Sequence, residues 1–123
     1  MTDITGYSLL GHGHEMAHLN QADFHVITDN LGWYAGALDY AQQDIFPGGM
    51  HRNRDYFSRW VMLPDTLPTW REYLLYDPQT SGGLLIAVHP DTAPILLADL
   101  QSAGESAQYI GYVTSGTGKL IIE

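Results

Sequence analysis

The sequence predicts an α+β fold, a layered α/β sandwich of helices on strands, and three observations carry that prediction. Apolar residues recur at helical spacing after Thr2-Asp3 and again after Pro90-Asp91. Apolar runs of strand length stand between and after these stretches, from Phe24 to Thr28, Leu84 to Val88, Gln108 to Val113 and Lys119 to Ile122. The chain of 123 residues is 45% hydrophobic and only 15% charged, which suits a single domain over residues 1–123 with a core of its own.

The elements follow in order. Thr2 or Asp3 is expected to cap a first helix reaching about Asn20. Leu9, His12, Met16 and Leu19 share one face of its wheel, with Leu10 and Ala17 beside it. Gly6, Gly11 and Gly13 each cost such a helix about 1 kcal/mol relative to alanine, so something must approach its backbone closely. Phe24 to Thr28 reads as a strand, Ala35 to Gln43 as a short helix, and Phe46-Pro47-Gly48-Gly49 as a loop. Tyr56 to Met62 reads as one or two helical turns, Pro64 and Pro68 bound a connector, and Trp70 to Tyr76 is helical until Pro78 breaks it. Leu84 to Val88 reads as a buried strand. The helix after Pro90-Asp91 places Ile95, Leu96, Leu97 and Leu100 inside and stops at Gly104. Two strands around Ser115-Gly116-Thr117-Gly118 complete the chain as a hairpin.

Composition removes several function classes. Five Lys plus Arg against 14 Asp plus Glu give a net charge of -9, which disfavours nucleic acid and anionic membrane surfaces as partners. No cysteine is present, so disulfides, thiolate nucleophiles and thiolate metal sites are excluded. No apolar run approaches the roughly 20 residues of a membrane span, and no signal-peptide pattern opens the chain, so a cytoplasmic location is expected.

Two motifs compete for the chemistry. His14-Glu15-Met16-Ala17-His18 matches the H-E-x-x-H pattern, in which two histidines on one helical face hold zinc and the Glu serves as general base. No third ligand is specified, because Gln21 stands where the longer form of the motif has Gly. The favoured reading is two exposed histidines on a solvated face, with a zinc site at His14, Glu15 and His18 as the alternative. The second motif is Asp77-Pro78-Gln79-Thr80-Ser81-Gly82-Gly83-Leu84-Leu85, a turn with hydroxyls and paired glycines that runs into an apolar strand.

Asp77 to Leu85, Thr2-Asp3-Ile4-Thr5-Gly6, Leu9-Leu10-Gly11-His12 and Pro47-Gly48-Gly49 together resemble, in order and spacing, the C-terminal half of the selenophosphate synthetase (selenide, water dikinase) family. The resemblance covers essentially the whole chain. It implies the C-terminal domain fold of the aminoimidazole ribonucleotide synthetase superfamily. It also implies a share in making selenophosphate from selenide, ATP and water with release of AMP and phosphate. In such enzymes this domain covers an active site built mainly by an N-terminal ATP-binding domain, and the Asp of the first block helps bind the Mg2+ ions that bridge the ATP phosphates. Carried over, that residue is Asp3; read from the residues alone the N-cap reading is favoured, and the resemblance reverses that preference for the intact enzyme.

The remaining blocks keep two readings. Thr5 and Gly6 flank the metal-binding position. Gly48, Gly49, Arg52 and Asn53 belong to a polar loop near the cleft, with Arg52 pairing either a phosphate oxygen or an acidic side chain of the fold. Thr80, Ser81, Gly82 and Gly83 either offer hydroxyl and N–H donors to an anion or form a purely structural turn. Tyr7-Ser8 replaces the usual Phe-Gly, and Met50 replaces the usual Thr.

The nucleotide loop, reactive Cys or selenocysteine and catalytic Lys of the family lie in the N-terminal domain, and Lys119, the only lysine here, is no substitute. The chain is therefore expected to be a separated domain, or the product of a split or truncated gene. It is expected to be inactive alone, binding neither Mg2+ nor ATP tightly, and to need the N-terminal domain as partner. An exposed apolar face is expected where the N-terminal domain packs, with Tyr7, Trp33, Tyr34, Phe57 and Trp60 as its candidates, and its exposure in the separated chain opens self-association as a homodimer. A stand-alone binding module of the same fold and a small zinc hydrolase are the alternatives.

Overall fold

The computed structural model describes residues 1–123 and contains five helices and six strands. The strands are β1 (Thr2–Asp3), β2 (Ala22–Val26), β3 (Val61–Met62), β4 (Leu84–Leu85), β5 (Gly111–Ser115) and β6 (Leu120–Ile122). The helices are α1 (Ser8–Leu19), α2 (Ala37–Gln42), α3 (Gly48–Phe57), α4 (Thr69–Leu75) and α5 (Ala93–Ser102). The α+β class holds. A mixed sheet in the order β3-β6-β2-β5 carries α1 on one face, and β1 pairs with β4 as a separate two-stranded ribbon.

Strand β2 shows the alternation that a half-buried strand requires. Ala22, Phe24 and Val26 face the core, while Asp23 and His25 face the other side. Leu120 and Ile122 of β6 join the same core, together with Leu10 and Ala17 of α1, Met50 of α3, and Leu75 and Tyr76 at the end of α4. Burying a side chain such as Leu10, at 0% exposure, contributes about 2 kcal/mol.

The glycines of α1 explain its packing and turn its buried stripe. A Cβ at Gly11 would lie 2.7 Å from the Phe57 ring, and one at Gly13 would lie 3.2 Å from Leu120. The close approach expected from these glycines is therefore made by the core itself. The buried stripe is Leu10, Gly13, His14 and Ala17, whereas Leu19, expected on the inner face, is 76% exposed.

Several expected elements change. Thr2 and Asp3 do not cap α1; they form β1, and the helix begins at Ser8 after a turn in which the Ser8 N–H donates to Thr5 O at 2.9 Å. The supposed loop at Gly48-Gly49 is the first turn of α3, where Pro47 has φ -71° and Met50 N–H closes onto Pro47 O. Glycine's low helix propensity hid that helix, although helix starts tolerate residues whose N–H groups have no partner in the helix. Tyr56 to Met62 divides into the end of α3, a 3-10 turn at Ser58–Trp60 and β3.

The hairpin also fails. Strands β5 and β6 both pair with β2, β5 antiparallel and β6 parallel, so β2 lies between them. The connecting loop crosses the end of β2 because Asp23 Oδ1 accepts the N–H groups of Thr117, Gly118 and Lys119 at 2.8, 3.0 and 2.8 Å. Ser-Gly-Thr-Gly reads as a tight turn in sequence, but an aspartate on a third strand organises it.

Leu84 to Val88 is not a buried strand. Only Leu84 and Leu85 pair, and Leu84, Ile86 and Val88 are exposed. Helix α5 has no buried residue, and Ile95 is 63% exposed. Its stop at Gly104 is as expected, with φ +91° and Glu105 N–H donating to Leu100 O. No helix is long and apolar enough to cross a membrane.

Candidate functional site

Three blocks distant in sequence meet at one place, and Asn53 joins them. It is buried on α3, and its Nδ2 donates to Gly6 O at 2.9 Å and to Tyr76 O at 3.1 Å. This ties the 2–6 block to the start of the 77–83 turn. The same two blocks are stitched by backbone bonds: Ile4 N–H to Gly83 O, Gly82 N–H to Ile4 O, and Gln79 N–H to Thr5 O. A Cβ at Gly82 would meet Ile4 O at 2.7 Å, and one at Gly49 would meet Pro78 at 2.9 Å. Gly49 and Gly82 are therefore used to bring chain against chain, while Gly6 and Gly83 have open space where a Cβ would stand.

The polar groups left on this face are specific. Asp3 is exposed on β1, opposite Leu84, and its carboxylate makes no ion pair or side-chain hydrogen bond. Thr5 Oγ1 is 3.0 Å from His12 Nε2, and His12 Nδ1 is 3.8 Å from Glu15. Thr80 and Ser81 are exposed and their hydroxyls have no partner in the chain, while Ser81 O accepts from the Tyr34 hydroxyl at 3.5 Å.

Arg52 is exposed and unpaired. By contrast, Arg54 is bound to Glu72 at 2.6 Å, Arg71 to Asp29 at 2.8 Å, and Arg59 lies over the Tyr56 and Trp60 rings. Of the two readings open for Arg52, the structure contains no ion pair within the fold.

Asp77 opens the turn and also lines a groove of about 470 Å3 with Tyr40, Ile45, Phe46, Pro47 and Leu74. Burial raises its carboxyl above the ordinary range, and a hydrogen bond from Gln79 Nε2 at 3.1 Å opposes that shift. Next to it, burial pushes the Tyr76 hydroxyl well up, and this group has no hydrogen-bond partner.

The H-E-x-x-H residues diverge. His14 is not an exposed histidine: it is 7% exposed, its ring stacks on Trp60 at 4.1 Å, and Nδ1 lies 2.7 Å from Gly118 O. A neutral ring there donates Nδ1–H to the carbonyl. His18 is exposed as expected, and Glu15 turns toward His12. No group of three or more His, Asp or Glu side chains is placed to hold a metal ion, either here or around Asp3. One exposed carboxylate at Asp3 suits a hard cation only as one oxygen ligand among several supplied from outside the chain.

Of the residues singled out in sequence, Asp3, Thr5, Gly6, Gly48, Gly49, Arg52, Asn53 and Thr80 to Gly83 all belong to the converging blocks. Asn53 serves inside the fold as a clip rather than facing out. Residue patterns missed the roles of His12 and Asp77, although both stand in the motifs that first drew attention. Their signal was a polar residue fixed within an otherwise apolar or glycine-rich block.

The class of protein that this fold and face define is shown by comparison. The family model described as AIR synthase related protein, C-terminal domain, matches residues 1–123, and the chain belongs to that family. Within it, the chain is similar to proteins named selenide, water dikinase. It is 37% identical over 121 residues to that of Rhizobium meliloti (strain 1021), covering 98% of this chain and 35% of the relative. It is 38% identical over 122 residues to that of Clostridioides difficile (strain 630), with the same 98% and 35% coverage. It is 41% identical over 113 residues to that of Pelobacter propionicus (strain DSM 2379 / NBRC 103807 / OttBd1), covering 91% of this chain and 32% of the relative. The chain thus spans about a third of the length of the curated relatives it matches.

Proposed function

We propose that this chain is the C-terminal domain of a selenophosphate synthetase, taking part in the ATP-dependent conversion of selenide and water to selenophosphate with release of AMP and phosphate. It does so together with a region equivalent to the remaining two thirds of its relatives, which holds the nucleotide. The observation that carries this reading is the convergence of residues 2–6, 48–53 and 77–83 on one polar face, in a chain whose similarity to selenide, water dikinases extends over nearly its whole length.

In this reading Asp3 supplies one carboxylate oxygen to Mg2+, an ion that neutralises phosphate charge when bound. Arg52, free of any partner within the fold, meets a phosphate oxygen or the substrate anion. Thr80, Ser81 and the open backbone at Gly6 and Gly83 offer donors along the same face. Asn53 and His12 act as positioning residues, holding the Gly6 turn and Thr5 respectively. The exposed apolar side chains from Leu84 to Ile95 give the companion region a surface to cover.

The chain alone is then expected to release no AMP from ATP in a selenide-dependent manner. The test is a chimera carrying this chain in place of the equivalent segment of the Clostridioides difficile relative. Selenide-dependent AMP formation by the chimera, and none by the chain alone, is the expected result. Turnover by the chain alone would refute the reading.

A further inference from the structure

We infer that His14 and His18 form a two-histidine site for a borderline-soft divalent cation, Zn2+ above all, at the C-terminal end of α1. The three-residue zinc motif of the sequence does not form, because Glu15 turns to His12. The two histidines nevertheless stay neighbours. They stand four residues apart on one side of the helix, with ring centres 5.6 Å apart and ring planes at 33°. A tetrahedral ion with Zn–N bonds of about 2.0–2.1 Å sets two imidazole centres about 5.2 Å apart. The pair is therefore within about half an ångström of the separation that a single ion requires.

His14 is prepared as a ligand. Its ring is stacked on Trp60 at 4.1 Å and meets the Phe57 ring edge-on at 6.2 Å, so it holds one orientation. With Nδ1–H donating to Gly118 O at 2.7 Å, the lone pair of the neutral ring is on Nε2. Ligating histidines almost always make such an outer bond, which fixes the tautomer and raises the basicity of the ligating nitrogen. Nε2 itself has no hydrogen-bond partner in the chain and is not sealed from solvent. His18 is exposed and supplies the adjustable second ligand. Gly118 lies across both histidines: it accepts from His14, and a Cβ added to it would stand 2.8 Å from His18 Cα. The 116–119 loop thus braces the turn of α1 that carries the pair.

The donor set selects the cation. Two imidazoles suit Zn2+, Cu2+ and Ni2+, whereas Mg2+ demands oxygen ligands, so the site is chemically distinct from the role proposed for Asp3. His18 is in the last turn of α1, where the helix dipole favours positive charge, and the chain as a whole carries -9. No third His, Asp or Glu is placed to join the pair, so water completes the coordination. The site therefore binds a cation without the third protein ligand and positioned base of a zinc hydrolase.

Isothermal titration of the chain with ZnCl2 reads the site directly, and one ion per chain with a Kd below about 100 µM is expected. His18→Ala replaces an exposed side chain, so it is expected to keep the far-ultraviolet circular dichroism of the wild type and to weaken binding at least about tenfold. Glu15→Gln and His51→Ala are expected to leave the Kd unchanged within about twofold, and about 5 mM MgCl2 is expected not to displace the ion. In nuclear magnetic resonance spectra, Zn2+ is expected to shift the ring protons of His14 and His18 together and to leave those of His25 and His51 in place. Binding absent below about 1 mM Zn2+, or unchanged in His18→Ala, overturns the proposal. So does binding that Glu15→Gln or His51→Ala weakens as much as His18→Ala does.

Discussion

The first 76 residues and the segment from Asp77 to Thr117 are both rich in apolar side chains, yet they are covered very differently. Every buried residue lies at or before Tyr76 or at Gly118 and beyond, and none lies between. In the first region, helix α1 brings Leu10 and Ala17 onto Phe24 and Val26 of β2, and Met50, Leu75 and Tyr76 close the same core, although single apolar side chains such as Leu19 stay exposed. In the second, Leu84, Ile86, Val88, Ile95, Tyr109 and Val113 remain open to solvent. The difference separates residues that make the domain from residues free to meet something else. The polar face built from residues 2–6, 48–53 and 77–83 stands at the border of the two.

Breaking the covered region produces the largest effect. Leu10→Ala is expected to cost about 3 kcal/mol, a large part of the roughly 5–15 kcal/mol of a domain this size. Ile95→Ala, in the open segment, is expected to cost less than about 0.5 kcal/mol. Urea denaturation of the two variants measures the contrast, and equal losses would erase it.

Asn53→Ala comes next. It leaves the Gly6 and Tyr76 carbonyls without their partner and is expected to cost about 2 kcal/mol. Faster hydrogen exchange at Ile4, Ser8 and Gln79 should accompany that loss, because Asn53 joins the blocks to which these amides belong. Unchanged exchange there would show that the blocks hold together without it.

Ser8→Gly is expected to stabilise by about 1 kcal/mol. Ser8 holds φ +69° at 0% exposure, a conformation that favours glycine, at the position where the family resemblance expects glycine. A raised melting temperature checks it.

The smallest effects are two pH slopes of opposite sign. Backbone N–H groups, that of Lys119 first and then that of Thr117, hold the Asp23 carboxyl below its ordinary value. Its contribution is therefore complete above the unfolded value and is lost as pH falls through the lowered folded one. Burial raises Asp77, so its contribution is complete below the unfolded value and is lost as pH rises through the raised folded one. Stability measured against pH should show a shallower acid-side fall in Asp23→Ala, with the part that Glu123 contributes remaining, whereas Asp77→Asn should raise stability at neutral pH.

The sequence made the α+β class legible because alternation survives in β2, and because Pro78 after α4 and Pro90-Asp91 and Gly104 around α5 mark helix bounds plainly, although the inner face read for α5 is not buried. It misplaced what depends on distant partners. The hairpin reading failed at Asp23, whose carboxylate draws the 116–119 loop across β2. The inner face of α1 was turned because Gly11 and Gly13, which carry no hydrophobic side chain, are the surfaces on which Phe57 and Leu120 pack. Of the apolar face expected from Tyr7, Trp33, Tyr34, Phe57 and Trp60, only Tyr7 and Tyr34 are exposed; Phe57 and Trp60 are engaged with Gly11 and His14. The site blocks were visible as motifs, but their meeting through Asn53 was not, because a buried amide between two carbonyls leaves no spacing signature.

The most direct measurement is selenide-dependent AMP release by the chimera with Asp3→Asn, compared with the chimera carrying Asp3. Asp3 is the exposed, unpaired carboxylate of the converging face, so its replacement should lower the rate at least about a hundredfold while leaving the fold intact, a loss of roughly 2.7 kcal/mol in transition-state stabilisation. An Asp3→Asn chimera as active as its parent would contradict the assignment of this face to the reaction.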